Sequence, residues 1–163
     1  MGLFDGLFGA GKTAVSVGDA APEFDLADAS GQRVRLADFR GKRSVVLYFY
    51  PKDDTPGCTK EACSFRDSYE AFKDVGAEVI GVSSDSEASH QKFTEKFKLP
   101  FTLVADVGGG VRKRYGVPAT LGLLPGRVTF VVDRDGIVRH VFNSQLQATK
   151  HVAEALTVLK RLS

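Results

Sequence analysis

The chain is predicted to form an α/β sandwich around a mixed central sheet. A continuous β-branched and aromatic run, Ser44–Tyr50 (SVVLYFY), has the pattern of a central strand buried on both faces. Strand-like and helix-like stretches alternate after it. Near the C-terminus, two strand-like runs flank Asp133-Arg-Asp-Gly136, a hairpin signal, and an amphipathic helix closes the chain.

Glu23–Leu26 and Val34–Leu36 are expected as short strands around a Ser30-Gly31 turn. After Ser44–Tyr50, apolar residues recur at Ala62, Phe65, Tyr69, Phe72 and Val75, which predicts one helical run. Glu78–Val82 is the next strand. Ser86–Phe97 is expected as helix, with Phe93 and Phe97 on one face and Asp85 or Ser86 as its cap. Pro100 comes just after its end. Phe101–Ala105 is expected as strand, and then a short helix near Val111–Tyr115. Val128–Val132 and Ile137–Phe142 form the hairpin. The last helix spans about Thr149–Leu162 with Val152, Leu156 and Leu159 inward. The parallel connections of the first half should be right-handed. An antiparallel hairpin before a terminal helix is the shape of a thioredoxin-like fold.

The 163 residues suit one domain with a short appendage. Residues 1–17 are Gly-rich and are read as a flexible tail; the domain is expected to span 18–163. A net charge of +2 gives no electrostatic reason to expect nucleic acid. The densest basic cluster, Arg112-Lys113-Arg114, is read as a solvated helix face. No apolar stretch approaches the roughly 20 residues that span a bilayer, and the N-terminus makes a poor signal peptide. The compartment expected on these grounds is the cytoplasm. Gly6-Leu-Phe-Gly-Ala-Gly11-Lys12-Thr13 matches the phosphate-loop pattern. No strand precedes it, however, and Gly18 and Pro22 would break a helix after it, so nucleotide binding is rejected.

The chemistry gathers between Tyr48 and Asp67, which holds both cysteines, Cys58 and Cys63. Cys58 stands where strand gives way to helix. A helix N-terminus carries partial positive charge and lowers a thiol's pKa. Two cysteines in a reducing compartment argue for redox use. A C-x4-C spacing with distant His90, His140 and His151 offers no zinc set, and those histidines are read as surface or packing residues. If both cysteines lie on one regular helix, five residues put their Cα atoms about 8.7 Å apart. That exceeds the roughly 7 Å a disulfide tolerates. The spacing therefore suggests a switch between a folded dithiol and a locally unfolded disulfide.

Pro51-Lys-Asp-Asp-Thr55-Pro-Gly-Cys58 closely resembles the P-x-x-x-(T/S)-x-x-C motif of peroxiredoxins. The continuation Thr59-Lys-Glu-Ala-Cys63-Ser-Phe-Arg-Asp resembles the PrxQ or bacterioferritin-comigratory-protein branch, whose resolving cysteine sits five residues after the peroxidatic one. Arg127-Val-Thr-Phe-Val-Val-Asp-Arg-Asp-Gly136 is similar to the family's later arginine-bearing strand. The resemblance runs from about Val17 to the C-terminus and leaves residues 1–16 outside.

The resemblance implies a peroxiredoxin-type thioredoxin-like fold and a thioredoxin-dependent peroxidase. Cys58 would attack the peroxide as thiolate, and Cys63 would condense with the sulfenic acid to a Cys58–Cys63 disulfide. Thr55 would orient the peroxide, Arg127 would stabilise the thiolate and the leaving oxygen, and Pro51 would shield the site. Taken alone, Thr55 would be read as a helix-entry cap and Arg127 as half of a surface ion pair. Hydrogen peroxide and alkyl hydroperoxides are the implied substrates and thioredoxin or a similar dithiol protein the reductant. No metal, haem or flavin is implied, and no nucleic acid or membrane partner. A monomer is expected because both redox cysteines lie in one chain. Two rivals stand beside this reading. One is a non-catalytic peroxide sensor using the same switch. The other is a general thiol–disulfide oxidoreductase, against which Arg127-Val128 stands where thioredoxins carry proline. The apolar Leu121-Gly-Leu-Leu-Pro125 segment could line a groove for larger hydroperoxides.

Overall fold

The computed structural model describes residues 13–120 and 124–162. The elements among them are β1 (Asp25–Ala27), β2 (Arg33–Arg35), β3 (Ser44–Phe49), α1 (Pro56–Asp67), α2 (Tyr69–Asp74), β4 (Ala77–Ser83), α3 (Glu87–Phe97), β5 (Thr102–Ala105), α4 (Gly110–Tyr115), β6 (Ala119–Thr120), β7 (Leu124–Pro125), β8 (Val128–Val132), β9 (Val138–Asn143) and α5 (Lys150–Leu162). A 3-10 turn, Leu36–Phe39, comes directly after β2.

The central sheet has the order β5-β4-β3-β8-β9. β3 pairs parallel to β4, and β4 to β5. β8 lies antiparallel to β3 and to β9. This is the expected mixed sheet flanked by helices. All six residues of β3 and all five of β8 are buried, as befits strands with a layer on each face.

Side chains alternate between those layers. Val46, Tyr48, Val79, Leu103 and Val131 face one core, filled by Ala62 and Phe65 of α1, Phe72 of α2, Phe93 of α3 and Val152, Ala155 and Leu159 of α5. Val45, Leu47, Phe49, Val128, Phe130 and Val132 face the other, closed by Phe24, Leu36, Val111 and Tyr115. Because Thr129 is opposite Tyr48 in the register, the residue two before it, Arg127, is directed to the α1 side.

The single helix expected after β3 is two. Ser68 leaves helical geometry (φ −104°, ψ 5°), and α2 starts anew at Tyr69. The apolar period runs through the break because both helices press on the same face of the sheet. The α3 cap is Ser86, whose hydroxyl accepts from the Ser89 amide at 3.1 Å. Asp133 builds the late hairpin by accepting from the Asp135 and Ile137 amides. The small β6–β7 pairing has no counterpart in the expected elements. The Leu121–Leu123 part of the suggested groove lies outside the described residues, as do residues 1–12.

Residues 13–17, which sequence reading assigns to the tail, lie against the domain. Val15 is buried, and its amide donates to the Tyr115 carbonyl at 3.4 Å. A Cβ at Gly116 (φ 67°) would run into the Ala14 backbone. In the basic cluster, Lys113 and Arg114 are exposed, while Arg112 reaches back to Ser84.

Candidate active site

α1 begins with Thr55 in the capping position, Pro56 at its first turn, and Cys58 as its third residue. Proline suits that place because the missing N–H has no helical partner there. The first helical bond runs from the Thr59 amide to the Thr55 carbonyl at 2.8 Å. The Gly57 and Cys58 amides therefore precede the helical ladder and face the loop. No side chain caps them.

The buried face of α1 is Cys58, Glu61, Ala62 and Phe65, one helical stripe. Cys58 is 1% exposed. Arg127 comes up beside the first turn of α1 from the start of β8, so close that a Cβ on Gly57, the residue before Cys58, would stand 2.9 Å from its Nη2. Arg127 is itself 5% exposed and donates to Glu61 Oε1 at 2.7 Å and to the Gln145 carbonyl at 3.1 Å. Burial works against its charge, but Glu61 and Cys58 hold its pKa above the ordinary arginine value. Arg127 is thus a buried ion-pair partner.

Glu61 is fully buried. Burial pushes its carboxyl up to about 8, against the pull of Arg127. On the far side of the carboxylate stands His151 of α5, with Nδ1 at 3.7 Å from Glu61 Oε2. His151 Nε2 meets the Ser144 carbonyl at 2.7 Å, and Nδ1 meets the Thr129 hydroxyl at 2.8 Å. A carbonyl only accepts, so Nε2 carries the hydrogen and Nδ1 accepts from Thr129. Burial, with Arg127 nearby, lowers the imidazole to about 4 despite the Ser144 bond.

Thr55 Oγ1 donates to the Lys52 carbonyl at 2.9 Å. Its only hydrogen is used there, so the oxygen is left as an acceptor. Pro51 is half-buried at the head of the same loop. The loop is tethered by Asp53, a buried carboxylate bonded by the Tyr50 hydroxyl (2.5 Å), the Ser89 hydroxyl (2.8 Å) and His90 Nδ1 (2.7 Å). His90 reaches the Val104 carbonyl through Nε2 at 3.0 Å, and the Asp53 amide donates to Asp85. Asp54 takes up left-handed geometry (φ 54°) between this anchor and Thr55.

Cys63 lies half-buried on α1, and both cysteines are free thiols. Both thus sit on one helix, the condition for a separation too long for a disulfide. Among the described residues, no group of three or more His, Cys, Asp and Glu side chains is clustered as a metal site requires.

Of the five predicted residues, the fold brings Cys58 and Arg127 together and sets Pro51 and Thr55 on the loop entering the Cys58 helix. Sequence reading missed Glu61, Asp53, His90 and His151. Glu61 carried a signal: it is a charged residue on the apolar stripe of α1, three positions after Cys58. His90 and His151 are packed as expected, but as hydrogen-bonded nodes.

The AhpC/TSA family pattern matches residues 17–141. "Peroxiredoxin Q, chloroplastic" of Oryza sativa subsp. japonica is 58% identical over 149 residues, which cover 91% of this chain and 68% of the rice protein. The crystal structure of peroxidoxin BcpB from Mycobacterium tuberculosis superposes with a TM-score of 0.85 at 38% identity, covering 91% of this chain and 99% of that one. The Xanthomonas campestris bacterioferritin comigratory protein, described for alkyl peroxide reduction activity, gives 0.80 at 29% identity over 93% of this chain and 99% of its own. A thioredoxin-like fold with this kinship defines a thiol-dependent peroxidase. The chain belongs to the AhpC/TSA family and, within it, to the peroxiredoxin Q or bacterioferritin-comigratory-protein branch.

The cytoplasmic expectation is corrected by the same kinship. The rice, wheat and Arabidopsis thaliana relatives are all named chloroplastic, which speaks against that expectation. The physical reason is that an address is read by a receptor from a targeting segment, so the charge and hydropathy of a folded domain do not report it.

Proposed function

We propose that Cys58 is the peroxidatic nucleophile and Cys63 the cysteine that resolves its sulfenic acid, with a thioredoxin-type dithiol closing the cycle. The observation that carries this reading is Cys58 in the N-terminal turn of α1, with the buried Arg127 guanidinium packed beside that turn at Gly57. A helix N-terminus and a fixed cation both favour thiolate.

The thiolate attacks the distal peroxide oxygen. The S–O bond forms, the O–O bond breaks, and the leaving oxygen departs as water or alcohol after taking a proton. Thr55 Oγ1, with its hydrogen committed to Lys52, accepts from the peroxide O–H. The Gly57 and Cys58 amides and Arg127 supply donors where negative charge builds up. Pro51, anchored beside Asp53, keeps the loop in place. Access runs over the partly exposed Thr55 and Gly57.

Cys63 then displaces the sulfenic oxygen as water, giving the Cys58–Cys63 disulfide. Two residues on one helix cannot bond at helical separation, so the first turns of α1 unwind. Thiol–disulfide exchange with the external dithiol restores both thiols. The protein acts as a monomer in this scheme, with a body beginning near Gly18 onto which residues 13–17 pack. A steady-state assay with hydrogen peroxide, an alkyl hydroperoxide and thioredoxin tests it. Sustained turnover is expected; stoichiometric oxidation without turnover would favour the sensor.

A further inference from the structure

Beneath Cys58 lie two groups able to carry negative charge and one able to balance it. Arg127 bonds Glu61 at 2.7 Å, and its guanidinium lies beside the Gly57–Cys58 turn, with Nη2 2.9 Å from where a Gly57 Cβ would stand. Cys58 and Glu61 are three residues apart on one buried helix face, so their side chains are neighbours. The other groups around Glu61 bring no positive charge at neutral pH. His151 is held neutral by burial, its Nδ1 already accepting from Thr129. Tyr48, on β3, is a fully buried phenol whose hydroxyl has no hydrogen-bond partner in the structure.

Glu61 Oε2 also has no hydrogen-bond partner. A buried carboxylate with one oxygen unmet is costly, whereas a carboxylic acid there can turn its O–H toward a neighbouring acceptor. With both Glu61 and Cys58 ionised, the dry site would hold two negative charges against one positive. With neither ionised, Arg127 would be buried unpaired. One anion matches one cation.

We infer that Glu61 and Cys58 carry a single negative charge between them, so that Cys58 becomes thiolate as Glu61 takes up a proton and Arg127 transfers its pairing from carboxylate to sulfur. This rests on Cys58 being the nucleophile. In that step one proton leaves Sγ, one is bound by the Glu61 carboxyl, and no electrons move. Attack then forms the S–O bond and breaks the O–O bond. The leaving oxygen takes up one proton, and the sulfenic acid is left uncharged. Arg127 pairs again with an ionised Glu61, which has released its proton. Glu61 is thus a positioning residue that sets the thiolate population through Arg127. A raised carboxyl pKa agrees with such a balance, since burial places Glu61 near 8.

The test uses the full chain with Cys63→Ser, so that Cys58 is the remaining thiol. Thiolate absorbance and the rate of alkylation by iodoacetamide are measured against pH, with and without Glu61→Gln. The amide keeps an oxygen for Arg127 Nη1 and removes the competing charge. The expected result is a lower thiolate midpoint and alkylation about 10-fold faster or more on the acid side. An unchanged or higher midpoint would overturn the proposal and leave Glu61 as a strut for Arg127. A second measurement needs no Glu61 variant. The infrared carbonyl band of the buried carboxylic acid is recorded against pH in the unaltered chain and in Cys58→Ser. Its midpoint should fall when the thiol is removed; equal midpoints would overturn the sharing. Full peroxidase activity in Cys58→Ser would instead sink the nucleophile assignment, which the infrared comparison does not address.

Discussion

Gly57 and Arg127 occupy adjoining space so closely that a Cβ at position 57 would stand 2.9 Å from Arg127 Nη2. The guanidinium is fixed by Glu61 and the Gln145 carbonyl. The glycine before Cys58 therefore admits the arginine. Gly57→Ala should push the guanidinium off the thiol and slow the peroxide step by about 10- to 100-fold. The fold should hold, since alanine favours a helix more than glycine does. Stopped-flow oxidation and a thermal melt check both halves; a rate equal to that of the unaltered chain would show that Arg127 is not set by this contact.

Cys58→Ser should abolish peroxidase turnover, because a hydroxyl is a far weaker nucleophile at neutral pH. Retention of a tenth of the activity in the coupled assay would place the nucleophile elsewhere.

Arg127→Ala should slow the reaction of Cys58 with peroxide by about 10- to 1000-fold, the scale of one lost electrostatic stabiliser. It should also strand the buried Glu61 carboxyl. Breaking a buried pair commonly costs about 3–5 kcal/mol, but a carboxyl near 8 sheds its charge at neutral pH. The loss at pH 7 should be smaller, and it should grow in alkali. Urea titrations at both pH values measure it; equal losses would mean that Glu61 does not protonate.

Cys63→Ser should leave the first oxidation fast and block recycling, with the trapped sulfenic acid open to sulfinic acid. In the unmutated protein, oxidation should raise amide exchange from Cys58 to about Phe65 as the helix unwinds. Equal protection in the two redox states would remove the unwinding step and favour disulfides between chains.

Acid should weaken the fold through His151. Its imidazole lies near 4 in the folded chain, below its usual 6.5. The unfolded chain therefore binds more protons between those values. Stability from this group is present above about 6.5 and is lost as pH falls toward 4, in all by roughly 3 kcal/mol. His151→Gln should be less stable at pH 7 but show a flatter decline in acid. A parallel decline in the variant would place the acid sensitivity in other groups.

Local signals determined the fold. β3 announced itself by a buried run, α3 and α5 by apolar period, and the β8–β9 hairpin by Asp133–Gly136. Each depends on neighbours in sequence. The candidate cysteines and the loop motif were legible for the same reason, since Pro51, Thr55, Cys58 and Cys63 lie within thirteen residues. Arg127 was legible only through a family resemblance; nothing in its surroundings along the chain distinguishes it from a surface arginine.

Tertiary structure alone decided what surrounds the sulfur. Glu61 and His151 are ninety residues apart and meet because α1 and α5 pack on one face of the sheet. Asp53 finds His90 because α3 returns beside the loop after β3. Ser68 divides a helix that the apolar period alone would continue. Periodicity tells which face a residue presents, but a buried charge is defined by its partners and its distance from water. Those are set by which faces the sheet order brings together.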